Sequence, residues 1–274
     1  MPELPEVEVV CQGLTPLLTG RRILAITHSG KKLRCPFPRA AVKRYGIGAS
    51  VVTVERRAKY LLLHLDNGAL IVIHLGMTGK LCLMRPEEPL RSHDHVRVRF
   101  DSGWELRLHD ARRFGLFDLL PPAKTDNPKW LRELGPEPFA QAFTADYLRE
   151  KSRGKKTPIK NLLMDNRVVV GIGNIYAGES LFDAGVSPLK PAGEVSLAAL
   201  KRVAASSRKI LLQAIAAGGT TISDFVNSAG ESGYFQLQLM VYDRAGQPCR
   251  VCRSPIRKVV LGGRSTFYCP HCQR

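Results

Sequence analysis

Two parts of the chain carry residue types that could do chemistry, and the first is its beginning, Met1-Pro2-Glu3. Removal of Met1 would leave Pro2 with a secondary amine, and an α-amino group with a pKa of about 7.7–8.0 is partly neutral at physiological pH. A neutral amine can attack an electrophilic carbon to form an iminium, and the carboxyl group of Glu3 could transfer protons beside it. These residues predict covalent catalysis, with a proline that merely begins a helix as the alternative.

The second part is a set of four cysteines near the end of the chain, arranged as Cys249-x2-Cys252 and Cys269-x2-Cys272 with sixteen residues between the pairs. This spacing predicts one zinc ion bound by four thiolates. Four ligands leave no open position on the metal, so we expect a structural zinc that folds a hairpin. Three further cysteines are scattered, and an odd total argues against disulfides and favours a reducing cytoplasm.

The charge of the chain indicates its partner. Lys and Arg number 41 against 24 Asp and Glu, a formal net charge of +17. Such an excess favours a polyanion, nucleic acid first and an anionic membrane second. No apolar run has transmembrane length and the first residues lack a signal peptide, so we expect no membrane partner and a cytoplasmic location. Six basic residues and one acid in 149–160 suit phosphate contact, although a solvated charged face is the alternative.

The elements that would position these residues change in type along the chain. Apolar spacing predicts a helix over 6–18. Short strand-like runs with turn residues between them predict an antiparallel sandwich or barrel, and they lie at Ile23–His28, Val51–Glu55, Tyr60–Leu65, Ala69–Leu75, Val96–Phe100, Glu105–Leu108 and Gly115–Leu120. After a proline-rich stretch, helices are predicted at 144–152, 158–165, 174–184 and 196–217, followed by a long loop at 219–235 and a strand at 235–242. We therefore expect three domains: 1–138, 139–234 and 235–274.

Two groups of loop residues could contact nucleic acid. Gly171–Ile175 precedes a helix, where glycines let a phosphate approach backbone amides, and a plain turn capped by Asn174 is the alternative. Met77, Arg112 and Phe114 follow strand-like runs and could fill a gap in a base stack. Core packing of the Met and Phe is the alternative.

Seven motifs, in order along essentially the whole chain, closely resemble those of the bacterial formamidopyrimidine-DNA glycosylases. They are PELPEVE at 2–8, RRAKYLLL at 56–63, HLGMTG at 74–79, RRFG at 112–115, MDNRVVVGIGNIYAGESLF at 164–182, GGTT at 218–221 and the four-cysteine ribbon. The resemblance implies an α+β fold: an N-terminal antiparallel β-sandwich with a helix that carries the nucleophile, a C-terminal helix-two-turn-helix domain and a zinc finger.

The resemblance also implies an activity and its catalytic residues. It implies a bifunctional glycosylase and abasic-site lyase that flips oxidised purines (8-oxoguanine, formamidopyrimidines) out of duplex DNA in base-excision repair. Pro2 would form a Schiff base with the sugar, and β- and δ-elimination would cut the strand. Glu3 would protonate the ring oxygen, and Glu6 would support the nucleophile. Lys59 would assist elimination, and Arg264 would bind phosphate and assist the last elimination.

Further residues are implied to hold the DNA. Met77, Arg112 and Phe114 would fill the vacated stack, with Arg112 facing the orphan cytosine, and the loop at 219–235 would read the lesion. Phosphate contacts are expected from His93, Lys155, Lys160 and Asn174.

Two rival functions are weighed against this one. Endonuclease VIII-type glycosylases prefer oxidised pyrimidines and typically begin PEGPE rather than PELPE. A zinc-ribbon DNA-binding protein without catalysis would need neither a free proline nor a carboxylate beside it. Nothing in the sequence indicates an oligomer, so we expect a monomer bound to double-stranded DNA.

Overall fold

The computed structural model describes residues 2–219 and 239–274, which form two compact units. The first unit holds the described chain up to Arg132 together with residues 217–219, and the second holds 133–216 and 239–274. The predicted division into three domains, with boundaries after 138 and 234, remains a prediction because compactness alone does not show which parts fold independently.

The first unit begins with helix α1 (Leu4–Leu18), two residues before the predicted start at position 6. Glu3 and Glu6 form a capping box, in which each side chain accepts a hydrogen bond from the backbone N–H of the other. The apolar face of α1 is buried, and Leu4 and Leu14 have 0% exposure. The capping box and this buried face together determine where the residues before the helix lie.

Two four-stranded antiparallel sheets of this unit enclose its core. Core residues come from both sheets and from α1, so the predicted sandwich is confirmed. The seven predicted strands are confirmed to within two residues at each end. The strands of the unit are β1 (Ile23–His28), β2 (Val51–Arg57), β3 (Tyr60–Leu65), β4 (Leu70–His74), β5 (Lys80–Met84), β6 (Asp94–Phe100), β7 (Glu105–His109) and β8 (Leu116–Leu120). Their orders in the two sheets are β1-β6-β7-β5 and β2-β3-β4-β8.

Strand β5 and three short helical segments, Arg39–Ala41, Val42–Gly46 and Pro122–Lys124, were not predicted. The sequence of β5, Lys-Leu-Cys-Leu-Met, shows no alternation of apolar and polar residues, and only Leu81 is buried in the structure. Helix α2 (Arg39–Ala41) continues into a π-helical turn, Val42–Gly46, and this pair is too short to show a helical period.

The second unit contains the predicted helices and a zinc-finger hairpin. None of the helices within the described residues is long and apolar enough to cross a membrane. The elements are α3 (Ala145–Ser152), α4 (Ile159–Leu163), α5 (Asn174–Asp183), α6 (Leu197–Ala216) and the antiparallel strands β9 (Arg257–Leu261) and β10 (Arg264–Tyr268).

The predicted strand at 235–242 is wrong where it can be checked, since residues 239–242 belong to no strand. The remaining four positions lie outside the described residues. The buried carboxylate of Glu179 accepts hydrogen bonds from three successive backbone N–H groups, those of Met240, Val241 and Tyr242, at 2.8, 3.0 and 2.9 Å. Successive N–H groups of a strand point in opposite directions, so amides that converge on one anion require a turn.

Candidate functional site

The predicted nucleophile and its neighbouring acid lie at the start of α1. Pro2 is buried, and Glu3 and Glu6 are 2% and 1% exposed. The backbone N–H of Glu3 donates to Oε2 of Glu6 at 2.7 Å, which fixes the peptide that joins Pro2 to Glu3. Met1 lies outside the described residues. The arrangement places a ring nitrogen and a carboxyl group on adjacent residues, held by a helix cap rather than by a mobile terminus.

A glycine, Gly219, packs closely against Glu6 of this capping box. Gly219 has φ +85°, and a Cβ added there would lie 3.2 Å from both Cγ and Oε1 of Glu6. Any other residue would be strained and would push the glutamate. The GGTT motif therefore begins against α1, whereas the predicted lesion-reading loop, apart from Gly219, lies outside the described residues.

Lys59 occupies the two-residue turn between β2 and β3, and it is only 8% exposed. Ala58 before it has φ 56°, a left-handed conformation that costs energy for a residue with a Cβ. The hairpin is fastened to α1, because Nε of Arg56 lies 2.5 Å from Oε2 of Glu8. Helix α1 and the lysine-bearing turn are thus parts of one packed assembly.

His74 lies near Lys59 and was missed as a functional candidate. Burial, with contributions from the charges of Arg34 and Lys59, lowers the pKa of His74 to about 3. Its Nδ1 accepts the backbone N–H of Gly76 at 2.8 Å, so the neutral ring carries its proton on Nε2. The ring can therefore donate a hydrogen bond at physiological pH without carrying charge.

The predicted gap-filling residues lie on two loops, 75–79 and 111–115, and all three are exposed. Met77 is 40% and Phe114 45% exposed, so the core-packing alternative is wrong for both. The guanidinium of Arg112 lies over the Phe114 ring at 4.8 Å. The two residues flank Arg113 on the same loop, and Arg113 has φ 58°, a strained conformation for a residue with a Cβ.

A buried aspartate that belongs to none of the predicted motifs joins these two loops. Asp110 has 0% exposure. Its Oδ1 accepts from the Thr78 hydroxyl at 2.9 Å, and its Oδ2 accepts from the backbone N–H of Gly115 at 2.7 Å. The loops also touch directly, because a Cβ on Gly76 would lie 2.5 Å from the carbonyl carbon of Phe114. One carboxylate and one glycine thus fix the spacing of the exposed side chains.

His93 lies beside the same aspartate. Its carbonyl accepts the backbone N–H of Asp110 at 2.9 Å. Its ring is half-buried and packs edge-on against the rings of His95 and His109.

In the second unit, the predicted phosphate contacts divide into exposed and buried residues. Lys155 is exposed. Lys160 is 1% exposed, and its ammonium donates to Oδ1 of Asn174 and Oγ1 of Thr266, both at 2.6 Å, and to the carbonyl of Ser265 at 3.3 Å. A direct phosphate contact by this lysine is therefore contradicted, since burial hides its ammonium.

Asn174 is the first residue of α5, and Gly173 is its N-cap, so the alternative with Asn174 as N-cap is wrong. The side-chain amide of Asn174 donates instead to the carbonyl of Ser265 at 2.9 Å. Lys160 and Asn174 together attach α4 and α5 to strand β10 of the finger. Arg264, the first residue of β10, is exposed at the end of this strand.

The four predicted zinc ligands come together. The Sγ atoms of Cys249, Cys252, Cys269 and Cys272 all lie within 4.8 Å of one another. Backbone N–H groups of Val251 and Cys272 donate to thiol sulfurs at 3.4 Å, a pattern that stabilises negative thiolates. Four thiolates in this cluster fit one tetrahedral zinc with no open position, so the ion is structural. Among the Lys and Arg residues of 239–274, Arg244 is half-buried and the other six are exposed: Arg250, Arg253, Arg257, Lys258, Arg264 and Arg274.

Three family models match the chain in sequence order. Residues 1–117 match the formamidopyrimidine-DNA glycosylase N-terminal domain, 134–226 the H2TH domain of the same enzymes, and 246–274 the zinc finger found in FPG and IleRS. The formamidopyrimidine-DNA glycosylases of Methylococcus capsulatus and Hahella chejuensis are 48% and 46% identical to the chain, each with 100% of both chains covered.

Solved structures agree with this match. MutM (FPG) of Thermus thermophilus has a TM-score of 0.88 and 34% identity, covering 99% of this chain and 98% of its own. A Lactococcus lactis FPG mutant in complex with Fapy-dG containing DNA has a TM-score of 0.90 and 31% identity, covering 100% of both. The L. lactis enzyme has also been solved with abasic site containing DNA, with a TM-score of 0.89, 32% identity and 99% of both chains covered.

Fold and site thus define a zinc-finger DNA glycosylase, an enzyme of base excision repair. The chain belongs to the formamidopyrimidine-DNA glycosylase family. The family assignment also favours this class over the endonuclease VIII-type and non-catalytic alternatives.

Proposed function

We propose that this enzyme excises oxidised purines, 8-oxoguanine and formamidopyrimidines, from duplex DNA and then cuts the strand as a lyase. The observation that carries the proposal is the Pro2–Glu3 pair, buried at the start of α1 and held by the capping box. A secondary amine fixed beside a carboxyl group suits Schiff-base catalysis, because the amine attacks while the acid moves a proton. Membership of the family supports the substrate class.

The chemistry begins once Met1 has been removed, since the amide nitrogen of an unprocessed Pro2 has no available lone pair. The Pro2 nitrogen attacks the anomeric carbon, and the electrons of the glycosidic bond leave with the base. The nitrogen loses its proton as the new C–N bond forms, and the departing base takes up a proton in turn. Glu3 gives a proton to the ring oxygen, the sugar opens, and the nitrogen lone pair forms the iminium. Lys59 and Arg264 assist the β- and δ-eliminations that release the phosphates on either side.

The first unit supplies the groups that hold the opened duplex. Met77, Arg112 and Phe114 fill the stack from which the damaged base is withdrawn, and their exposure on two fastened loops supports this role. Fixed loops suit an insertion that must offset the cost of unstacking. His93 contacts a backbone phosphate.

The second unit supplies further phosphate contacts through exposed residues, among them Lys155 and Arg264, and through Asn174. Lys160 does not contact phosphate itself but positions Asn174 and β10 through its hydrogen bonds to them. The zinc ion holds the finger that presents Arg264 and takes no part in bond breaking. We further propose that the enzyme acts as a monomer and associates with the nucleoid, since a net charge of +17 favours DNA over self-association.

Borohydride trapping tests the proposal. The processed protein, incubated with an 8-oxoguanine duplex and borohydride, should give a covalent protein–DNA adduct. Mass spectrometry should locate the attached DNA on the N-terminal peptide. One residue inserted before Pro2, so that the terminus stays blocked, should abolish the adduct, and Pro2→Gly should impair it. The matched control carries the same extra residue at the C-terminus. Equal trapping by the blocked protein would refute a Pro2 nucleophile.

The substrate class needs its own measurement. Excision of 8-oxoguanine should be faster than excision of thymine glycol in the same sequence context. The reverse order would favour the oxidised-pyrimidine alternative while leaving the Pro2 mechanism intact.

A further inference from the structure

A buried ionic network lies behind His93 in the first unit. Arg107 has 0% exposure, and its Nε donates to Oε1 of Glu105 at 2.8 Å. One terminal nitrogen lies 3.6 Å from Oδ2 of Asp94. The guanidinium also holds the loop that leads to His93, by donating to the carbonyls of Arg85, Glu88 and Pro89 at 3.3, 2.9 and 3.1 Å.

Asp94 links this network to a second histidine. Its side chain is 2% exposed, and Oδ1 lies 3.0 Å from Nδ1 of His109. Its Oδ2 accepts the backbone N–H of Arg91 at 3.0 Å, so both carboxylate oxygens are engaged. The His109 ring therefore has a fixed orientation although its side chain is 21% exposed.

The oriented ring of His109 contacts His93. Their centroids are 5.7 Å apart with an interplanar angle of 75°, and His95 contacts the same His93 ring at 6.2 Å and 61°. His95 is 1% exposed, and its Nδ1 lies 2.9 Å from the hydroxyl of Ser29. The His93 ring thus lies against two imidazoles, each of which is held by another group.

We propose that Asp94 and His109 are positioning residues for His93, which they hold ready for its phosphate contact. The inference rests on the DNA contact proposed for His93. A side chain held in its binding rotamer loses less conformational entropy when DNA arrives, so the contact contributes more to affinity. Arg107 anchors the arrangement by fixing Asp94 and the preceding loop.

A double-mutant cycle tests the inference with the full-length protein. Its dissociation constant is measured for a duplex that contains a tetrahydrofuran abasic analogue. His93→Ala should weaken binding about tenfold, equivalent to about 1.4 kcal/mol. Asp94→Asn and His109→Ala should each weaken it about threefold. In the His93→Ala background neither should weaken it further, because a positioning residue acts only through the group it positions.

The chain offers a matched control. His64 also pairs with a carboxylate, with Nε2 3.3 Å from Oε2 of Glu55, on an exposed part of the same unit. His64→Ala should change affinity in neither background. Should Asp94→Asn prove too unstable to assay, the partly exposed His109 carries the cycle alone.

The outcomes separate the inference from the function on which it rests. If His93→Ala weakens binding and the losses from Asp94→Asn or His109→Ala add to it, the positioning role is overturned and the DNA contact stands. If His93→Ala leaves affinity unchanged, the contact itself is absent, and the inference is overturned with it.

Discussion

Replacing Asp110 by alanine should destabilise the first unit and loosen the gap-filling loops. The carboxylate has 0% exposure and accepts two hydrogen bonds, at 2.7 Å from the Gly115 N–H and 2.9 Å from the Thr78 hydroxyl. Hydrogen bonds to charged groups contribute about 1.5–3 kcal/mol each, so their loss costs about 3–6 kcal/mol. Relief of the cost of burying a charge offsets part of this loss. We expect a net destabilisation of about 2–4 kcal/mol, or about 6–12 °C in Tm.

Urea denaturation, followed by single-turnover excision of 8-oxoguanine, measures both consequences. Asp110→Asn is the conservative variant, since its carbonyl can still accept the Gly115 N–H while the Thr78 hydroxyl turns to accept from the amide, and it should lose about 1 kcal/mol. Asp101→Ala, at an exposed turn of the same unit, should be neutral. A free energy of unfolding for Asp110→Ala within about 0.5 kcal/mol of the wild type would refute the reasoning.

Three further predictions concern the opposing base, the metal and pH. Arg112→Ala should reduce discrimination between lesion·C and lesion·A pairs by about 1–3 kcal/mol, measured as excision against each opposing base; an equal loss against all four bases would leave Arg112 as a backbone contact. Chelation of zinc should weaken DNA binding in a gel shift while circular dichroism shows the first unit still folded; unaltered binding would contradict the DNA contacts of the finger. The folded-state pKa of His74 is lowered from 6.5 to about 3, so below pH 6.5 the unfolded chain binds a proton that the folded protein does not. The free energy of unfolding is therefore undiminished above pH 6.5 and falls as pH drops toward 3. His74→Asn keeps an acceptor for the Gly76 N–H but does not titrate. Between pH 7 and 5 its free energy of unfolding should fall less than that of the wild type, with a difference of at most about 1.4 kcal/mol per pH unit. An equal fall in both proteins would contradict the lowered pKa of His74.

The sequence was most informative where structure follows from local pattern. The strands of the sandwich were predictable because apolar residues mark each buried run and turn residues such as Asp66-Asn67-Gly68 separate them. The four cysteines were predictable because zinc needs that ligand set and spacing. Strand β5 was not, since Leu81–Met84 is apolar throughout and shows no alternation of apolar and polar residues.

The sequence was least informative about buried charges, whose partners lie far along the chain. Lys160 looked like one more basic residue of a phosphate-binding run, yet its ammonium bonds to Thr266, 106 positions away. Asp110 and Thr78 are 32 positions apart, and Glu179 and Val241 are 62 apart. For Glu179 the sequence offered a local indication, because it shares α5 with Ile175, Ala177, Leu181 and Phe182, a mostly apolar setting that favours burial over solvent contact.

These buried charges have a common place in the proposed mechanism. Asp110 accepts hydrogen bonds from Thr78 and Gly115, which follow Met77 and Phe114 in the sequence. Lys160 donates to Asn174. A buried charge is tolerated only when hydrogen bonds saturate it, and a break in that set costs several kcal/mol. Saturation here requires partners from separate segments, two loops for Asp110 and helix α5 with strand β10 for Lys160, so each charge allows its segments only one arrangement. The side chains that would meet DNA, Met77 and Phe114 on the two loops and Asn174 on α5, are held in place by these buried groups. A neutral replacement of the buried group should therefore impair DNA recognition even where the contacting side chain is intact.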